Sequence, residues 1–291
     1  MNWVIYLFGS GAAFFIAVAL VIASVPTMTA GRSRWLRMVA TLLAFLGLIV
    51  VVFSATPLPY WLYAVAFAIS LSWIVIERLP EKTVPARWRY GARAALVVFW
   101  AGVVLVELPY HFTPSVEFIG RPKLYLFADS VSAGLGEAET ETWPSLLAET
   151  HGVEVHNYSH MGATVGSMVK KARTLELGDG IVLLEIGGND LLGKTTAAEF
   201  EAGLDELLSL TCGPGRSVIM FELPLPPFAN EFGRAQRRLA SRYGVPMIPK
   251  RVFIGVLTAQ DGTVDSIHLT RSGHERMRDT VWAVIGPAFG K

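Results

Sequence analysis

Near the end of the chain, Asp265-Ser266-Ile267-His268 sets a carboxylate three residues ahead of a histidine. In a turn, such a carboxylate can accept from one imidazole nitrogen and leave the other to act as a base. A hydroxyl for that base to activate is offered by Ser130, in Phe127-Ala128-Asp129-Ser130-Val131-Ser132-Ala133-Gly134. Two further stretches can present N–H donors to a ligand. In Asn157-Tyr158-Ser159-His160-Met161-Gly162-Ala163-Thr164 the donor is the backbone at Gly162, where the missing Cβ permits close approach. In Gly187-Gly188-Asn189-Asp190 the glycines bend the chain sharply and Asn189 carries an amide N–H₂. Each has an ordinary counterpart: an Asp-Ser pair and a loop glycine are also plain turn chemistry. Read singly, none identifies an activity.

The surrounding pattern gives these stretches a common place. Leu124–Phe127, Val153–Asn157, Ile181–Ile186, Ser217–Leu223 and Val245–Ile248 read as short apolar strands. Helical patterns alternate with them over Thr142–His151, Ala197–Leu210 and Asn230–Tyr243, and Thr270 caps a last helix running to about Ile285. Strands alternating with helices predict a parallel sheet covered on both faces, because parallel strands need crossover connections. Functional groups in such sheets gather beyond the carboxyl ends of the strands. The Ser130, Gly162 and Asn189 stretches each follow a strand directly, and the Asp265–His268 stretch precedes the last helix.

The first 113 residues are of another kind. Across 291 residues 52% are hydrophobic and 17% charged, and the charges are unevenly placed. Lys and Arg outnumber Asp and Glu 8 to 3 up to residue 113, whereas acidic residues lead 21 to 17 beyond it. We expect two domains, a transmembrane helical region over 1–113 and an aqueous domain over 114–291. Apolar runs at 3–27, 38–56, 60–76 and 93–111 predict four spans; the first, as one helix of about 37 Å, exceeds a hydrocarbon core of about 30 Å. Gly9-Ser10-Gly11-Ala12-Ala13 in it forms a small-residue face suited to close helix packing. Thr56-Pro57-Leu58-Pro59 is a turn between the second and third. Arg93 and Glu107 flank the fourth, with Arg93 snorkelling to an interface. Basic residues fill the first loop (Arg32, Arg34, Arg37) and the third (Arg78, Lys82, Arg87, Arg89). The positive-inside rule then puts both termini, and the aqueous domain, outside the cytoplasm in a plasma or inner membrane. Cys212, the one cysteine, excludes an intrachain disulfide and reads as a buried packing residue. A net charge of +1 without basic runs in the second half argues against nucleic acid as a partner. His111, His151, His156, His160 and His274 have no carboxylate placed as Asp265 is, and read as surface or loop residues, His160 as a rim contact.

Taken in order, the four stretches resemble the sequence blocks of the SGNH (GDSL-like) hydrolase superfamily over roughly residues 123–290. The resemblance implies a flavodoxin-like three-layer α/β fold and a serine esterase without metal or organic cofactor. It implies Ser130, Asp265 and His268 as catalytic triad, and the Ser130 N–H, Gly162 and Asn189 as oxyanion-hole donors. The expected substrate is an acyl ester, O-acetyl or another short-chain ester, on a surface glycan or a lipid. An O-acyltransferase of cell-surface glycan and a catalytically silent SGNH-like binding module are the alternatives. The family usually has Gly-Asp-Ser in its first block, where this chain has Ala128. If that position needs a positive φ, alanine there is strained by about 1 kcal/mol or more.

Overall fold

The computed structural model describes residues 3–30, 33–80, 82–118, 120–134, 141–265 and 267–290. Arg32 of the first basic loop and Ser266 lie outside the described residues. The chain divides into two compact units, one of Gly11–Pro109 with Pro226–Asn230, the other of Met1–Ser10, Tyr110–Leu225 and Glu231–Lys291.

Five helices open the chain: α1 (Trp3–Gly9), α2 (Ala12–Ala30), α3 (Arg34–Phe53), α4 (Tyr60–Arg78) and α5 (Ala86–Glu107). The first apolar run is not one helix. Gly11 sits at φ 81°, which a continuing helix cannot accommodate, so α2 starts only at Ala12 and the small-residue face is split by the break. Helices α2 to α5 are each long and apolar enough to cross a membrane. They pack on small residues: Ala13, Ala17, Ala40 and Ala44 are fully buried, and a Cβ at Gly47 would come within 2.7 Å of the Ala17 carbonyl. Large apolar side chains such as Leu42, Phe45, Leu71, Val98 and Leu105 face outward instead. Phe14, Trp73, Leu96 and Trp100 are buried beside these small residues, and so many large apolar side chains left outside suit helices surrounded by lipid. Trp35, Tyr60, Trp61 and Trp88 stand exposed in the first turns of α3, α4 and α5, with Tyr90 just beyond, where interfacial aromatics belong. Arg93 does not snorkel alone. Its guanidinium meets the Glu77 carboxylate through two hydrogen bonds of 2.6 and 3.0 Å, a fork geometry that holds α5 to α4.

The second unit carries the sheet. Its elements are β1 (Lys123–Ala128), α6 (Ser130–Ala133), α7 (Trp143–His151), β2 (Val155–Asn157), α8 (Val165–Ala172), β3 (Gly180–Glu185), α9 (Gly188–Leu192), α10 (Ala197–Thr211), β4 (Arg216–Phe221), α11 (Asn230–Tyr243), β5 (Met247–Ile248), α12 (Lys250–Leu257) and α13 (Arg271–Ile285). All neighbouring strands pair in parallel, in the order β2-β1-β3-β4-β5. This is the flavodoxin-like order. Right-handed crossovers put α7, which leads outward to β2, on one face, and α8 and α10, which lead the other way, on the opposite face. The α7 face buries Leu124, Leu126, Ile181, Leu183 and Ile219 against Trp143, Leu147, Met277 and Val281. The alternate residues Tyr125, Phe127, Val182, Leu184 and Met220 are equally buried, so the central strands read as continuous apolar runs.

Candidate active site

The strand order decides which loops meet. β2, β1 and β3 are neighbours, with Leu126 opposite Asn157 and Ala128 opposite Glu185. Their carboxyl ends therefore release the Ser130, Gly162 and Asn189 loops side by side. Ala128 ends β1 without a positive φ, so alanine in place of the family's glycine causes no backbone strain. Asp129 then caps α6: its Oδ1 accepts from the Val131 N–H at 3.0 Å, which turns the chain and makes Ser130 the first helical residue.

The other two loops are tied to each other. Gly162 has φ 70°, and a Cβ there would meet nothing within 4 Å, so conformation rather than crowding calls for glycine. Gly187, at φ 113°, has both reasons, since a Cβ would come within 2.9 Å of Leu223 and Phe200. Asn189 Nδ2 donates to the Ala163 carbonyl at 3.0 Å, and Asp190 Oδ2 accepts from the Val165 N–H at 2.9 Å. One amide hydrogen of Asn189 is thereby used to fix its direction, and the second stays available as a donor.

Asp265 and His268 sit in a narrow turn closed by the Val264 N–H to the His268 carbonyl, 2.8 Å. Asp265 Oδ2 lies 2.7 Å from His268 Nδ1, and Oδ1 accepts from the backbone N–H of His268 at 2.9 Å and of Ile267 at 3.2 Å. The His268 N–H above all, then the imidazole and the Ile267 N–H, hold the Asp265 carboxyl down at about 2. It stays ionised through any working pH and orients the ring so that Nε2 is the free basic nitrogen. His268 is among the groups that pull the Asp129 carboxyl down, Asp129 being the neighbour of Ser130.

Three carboxyls lie buried beneath this edge, Asp129, Glu185 and Asp190, with partners that no motif reveals. Burial pushes Asp129 up to about 6, against the pull of the Val131 N–H and of His268. Glu185, at the end of β3, is held well above the ordinary range, first by burial and then by Asp129. Its Oε2 accepts from the Ser132 hydroxyl at 2.9 Å, and Ser132 accepts from the Trp143 indole at 3.0 Å. Asp190 is raised by burial too, against the Val165 N–H and Thr195. His274, read as a surface or loop residue, is buried: its Nδ1 accepts from the Trp143 N–H at 3.1 Å at the start of α7. Cys212 is half-buried at the end of α10, not the core residue expected.

The 2-1-3-4-5 parallel sheet with these loops at its carboxyl edge is a flavodoxin-like α/β fold, the one SGNH hydrolases have. Residues 129–276 match the GDSL-like Lipase/Acylhydrolase family, and the chain belongs to it. It is 24% identical over 178 residues to "Esterase TesA" of Pseudomonas aeruginosa, covering 56% of this chain and 88% of that protein. With the "Arylesterase" of Vibrio mimicus it shares 31% identity over 159 residues, 50% of this chain and 78% of the other. The esterase EstA from Pseudoalteromonas sp., in a structure inhibited by monoethylphosphonate, superposes with TM-score 0.51 at 19% identity, over 58% of this chain and all of that one. The chain is a carboxylic ester hydrolase of the SGNH type.

The raised carboxyl of Asp129 carries a test. Its folded value of about 6 lies above an unfolded value of about 3.9, so its stabilising contribution is complete below the unfolded value and is lost as pH rises through 6. Asp129→Asn keeps an acceptor for the Val131 N–H and removes the ionisation. Between pH 5 and pH 7 the thermal midpoint of the wild-type chain should fall further than that of the variant. Equal falls would contradict the burial argument.

Proposed function

We propose that this protein is a membrane-anchored serine esterase that hydrolyses short-chain acyl esters, O-acetyl groups among them, through Ser130, His268 and Asp265. The observation that carries the reading is the 2.7 Å contact between Asp265 Oδ2 and His268 Nδ1; Ser130, at the start of α6 beyond the carboxyl end of β1, is the hydroxyl the reading pairs with it. His268 Nε2 takes the Ser130 proton as Oγ attacks the ester carbonyl, and the ionised Asp265 stabilises the imidazolium. The N–H groups of Ser130 and Gly162 and the second amide hydrogen of Asn189 receive the oxyanion. Collapse expels the alcohol, which takes its proton from His268. Water then attacks the acyl-serine, His268 again removing and returning the proton. The printed names of the relatives, esterase and arylesterase, fit an ester as substrate. No step requires a metal or organic cofactor.

In this proposal residues 1–113 are the anchor and 114–291 the hydrolase, with glycan-borne or lipid-borne esters as substrates. The exposed apolar faces of α2 to α5 support the anchor. The basic loops at Arg34 and Arg37 and at Arg87 and Arg89 favour the cytoplasm, so an even number of spans leaves the hydrolase outside.

Two experiments test these statements. In detergent-solubilised full-length protein, Ser130→Ala should lower p-nitrophenyl acetate turnover at least about 10⁴-fold with the fold retained, and Asn189→Ala should lower kcat about 10²–10³-fold. Turnover by Ser130→Ala at the wild-type rate would refute the assignment. For the topology, protease added to intact spheroplasts should digest the 114–291 region; protection until the membrane is opened would reverse the orientation.

A further inference from the structure

Beside the Gly162 loop lies a groove of about 500 Å³ that the reaction above does not use. One wall is the continuation of β2. The Tyr158 N–H donates to the Leu126 carbonyl at 2.9 Å and the His160 N–H to the Ala128 carbonyl at 3.4 Å, so this wall runs along β1 to within two residues of Ser130. The other wall is α8, which contributes Lys170 and Lys171. Asn157, Ser159, Ser167 and Thr174 complete a polar lining without a carboxylate, the three hydroxyls donating to Asn157 Oδ1 and to the Thr164 and Lys171 carbonyls.

Both lysines are exposed, and among the described residues neither is ion-paired. Lys171 Nζ lies over the Tyr158 ring, 5.6 Å from its centre, which steadies the ammonium without neutralising it. His160 Nε2 is 3.3 Å from Ser167 Oγ, and Asn157 Oδ1 is already taken by the N–H and hydroxyl of Ser159, which leaves the Asn157 N–H₂ as a further donor. A concave surface with two uncompensated ammonium groups, the Asn157 N–H₂ as donor and no acid suits an anion by charge first and by hydrogen bonding second.

We propose that this groove is an anion subsite, taking a carboxylate or phosphate carried by the ester whose carbonyl meets Ser130. The inference rests on the esterase reading and adds a substrate class to it: acidic esters are preferred over neutral ones of the same size. The His160 N–H bond to the Ala128 carbonyl sets one end of the groove two residues before Ser130, so that in this proposal the anion and the scissile carbonyl lie along one bound molecule.

The test compares two ester pairs with the full-length protein in detergent. Mono-p-nitrophenyl glutarate against p-nitrophenyl valerate places the charge on the acyl side, and 3-acetoxybenzoate against 3-acetoxybenzamide places it on the leaving-group side. In at least one pair the charged member should have the lower KM. Lys170→Ala/Lys171→Ala should raise that KM about tenfold, leave the neutral partner unchanged, and be rescued by the paired arginine variant. Added salt should weaken the preference. Equal response of charged and neutral members in both pairs would overturn the proposal. Separately, inorganic phosphate is titrated with the Ser130→Ala protein, and its ³¹P line should broaden unless both lysines are also replaced. Broadening without discrimination between the esters would mark a site for free anions and overturn the substrate assignment. If the wild-type chain hydrolyses none of the four esters, the esterase reading fails, and the phosphate line alone decides the groove: no broadening overturns it.

Discussion

A parallel strand cannot return by a tight turn, so each strand of a parallel sheet is followed by a crossover, and every carboxyl end arrives at the same edge. The candidate chemistry depends on this constraint. With β1 between β2 and β3, the loops that carry Ser130, Gly162 and Asn189 are immediate neighbours although nearly 60 residues separate the first from the last. The histidine turn comes from outside the sheet, after α12, and is stiffened by its own hydrogen bonds, including those that Asp265 makes with its own turn. A shift of β1 by one residue would send Ala128 to the opposite face and take Ser130 off the edge.

Beneath that edge the protein keeps groups that an apolar core would not tolerate unpartnered. Asp129, Glu185 and Asp190 are all nearly inaccessible, and each accepts from a named donor: the Val131 N–H, the Ser132 hydroxyl and the Val165 N–H. These bonds join α6 to β1, β3 to α6, and α9 to α8. Desolvation of three carboxyls costs stability, offset in part by bonds that fix the loops relative to each other. Rigid loops in turn are what an oxyanion site needs, because donors already in place require no reorganisation during reaction.

Much of this was legible in the sequence. Near-continuous apolar runs located β1, β3 and β4, and the alternation with helices gave a parallel sheet. Thr270 capped α13 as its residue type predicts, with its hydroxyl accepting from the Gly273 N–H at 3.1 Å. Helices α8 and α12 escaped notice because each is only eight residues long, too short for a periodic signal. His274 and Cys212 were misjudged because their burial depends on partners distant in sequence; His274 meets Trp143 across 131 positions. The break at Gly11 hid inside an uninterrupted apolar run, where hydropathy sees no change but the backbone does. The Asn189–Ala163 and Asp190–Val165 bonds were equally invisible, since a motif shows which donor it holds and not where that donor points.

The central claim is that Ser130 is a nucleophile activated by His268. It is tested most directly by treating the full-length protein with a fluorophosphonate and locating the adduct by peptide mass spectrometry. A single adduct is expected on the peptide containing Ser130, formed at a rate that His268→Ala reduces sharply. Labelling of another residue, or none in a folded protein, would contradict it.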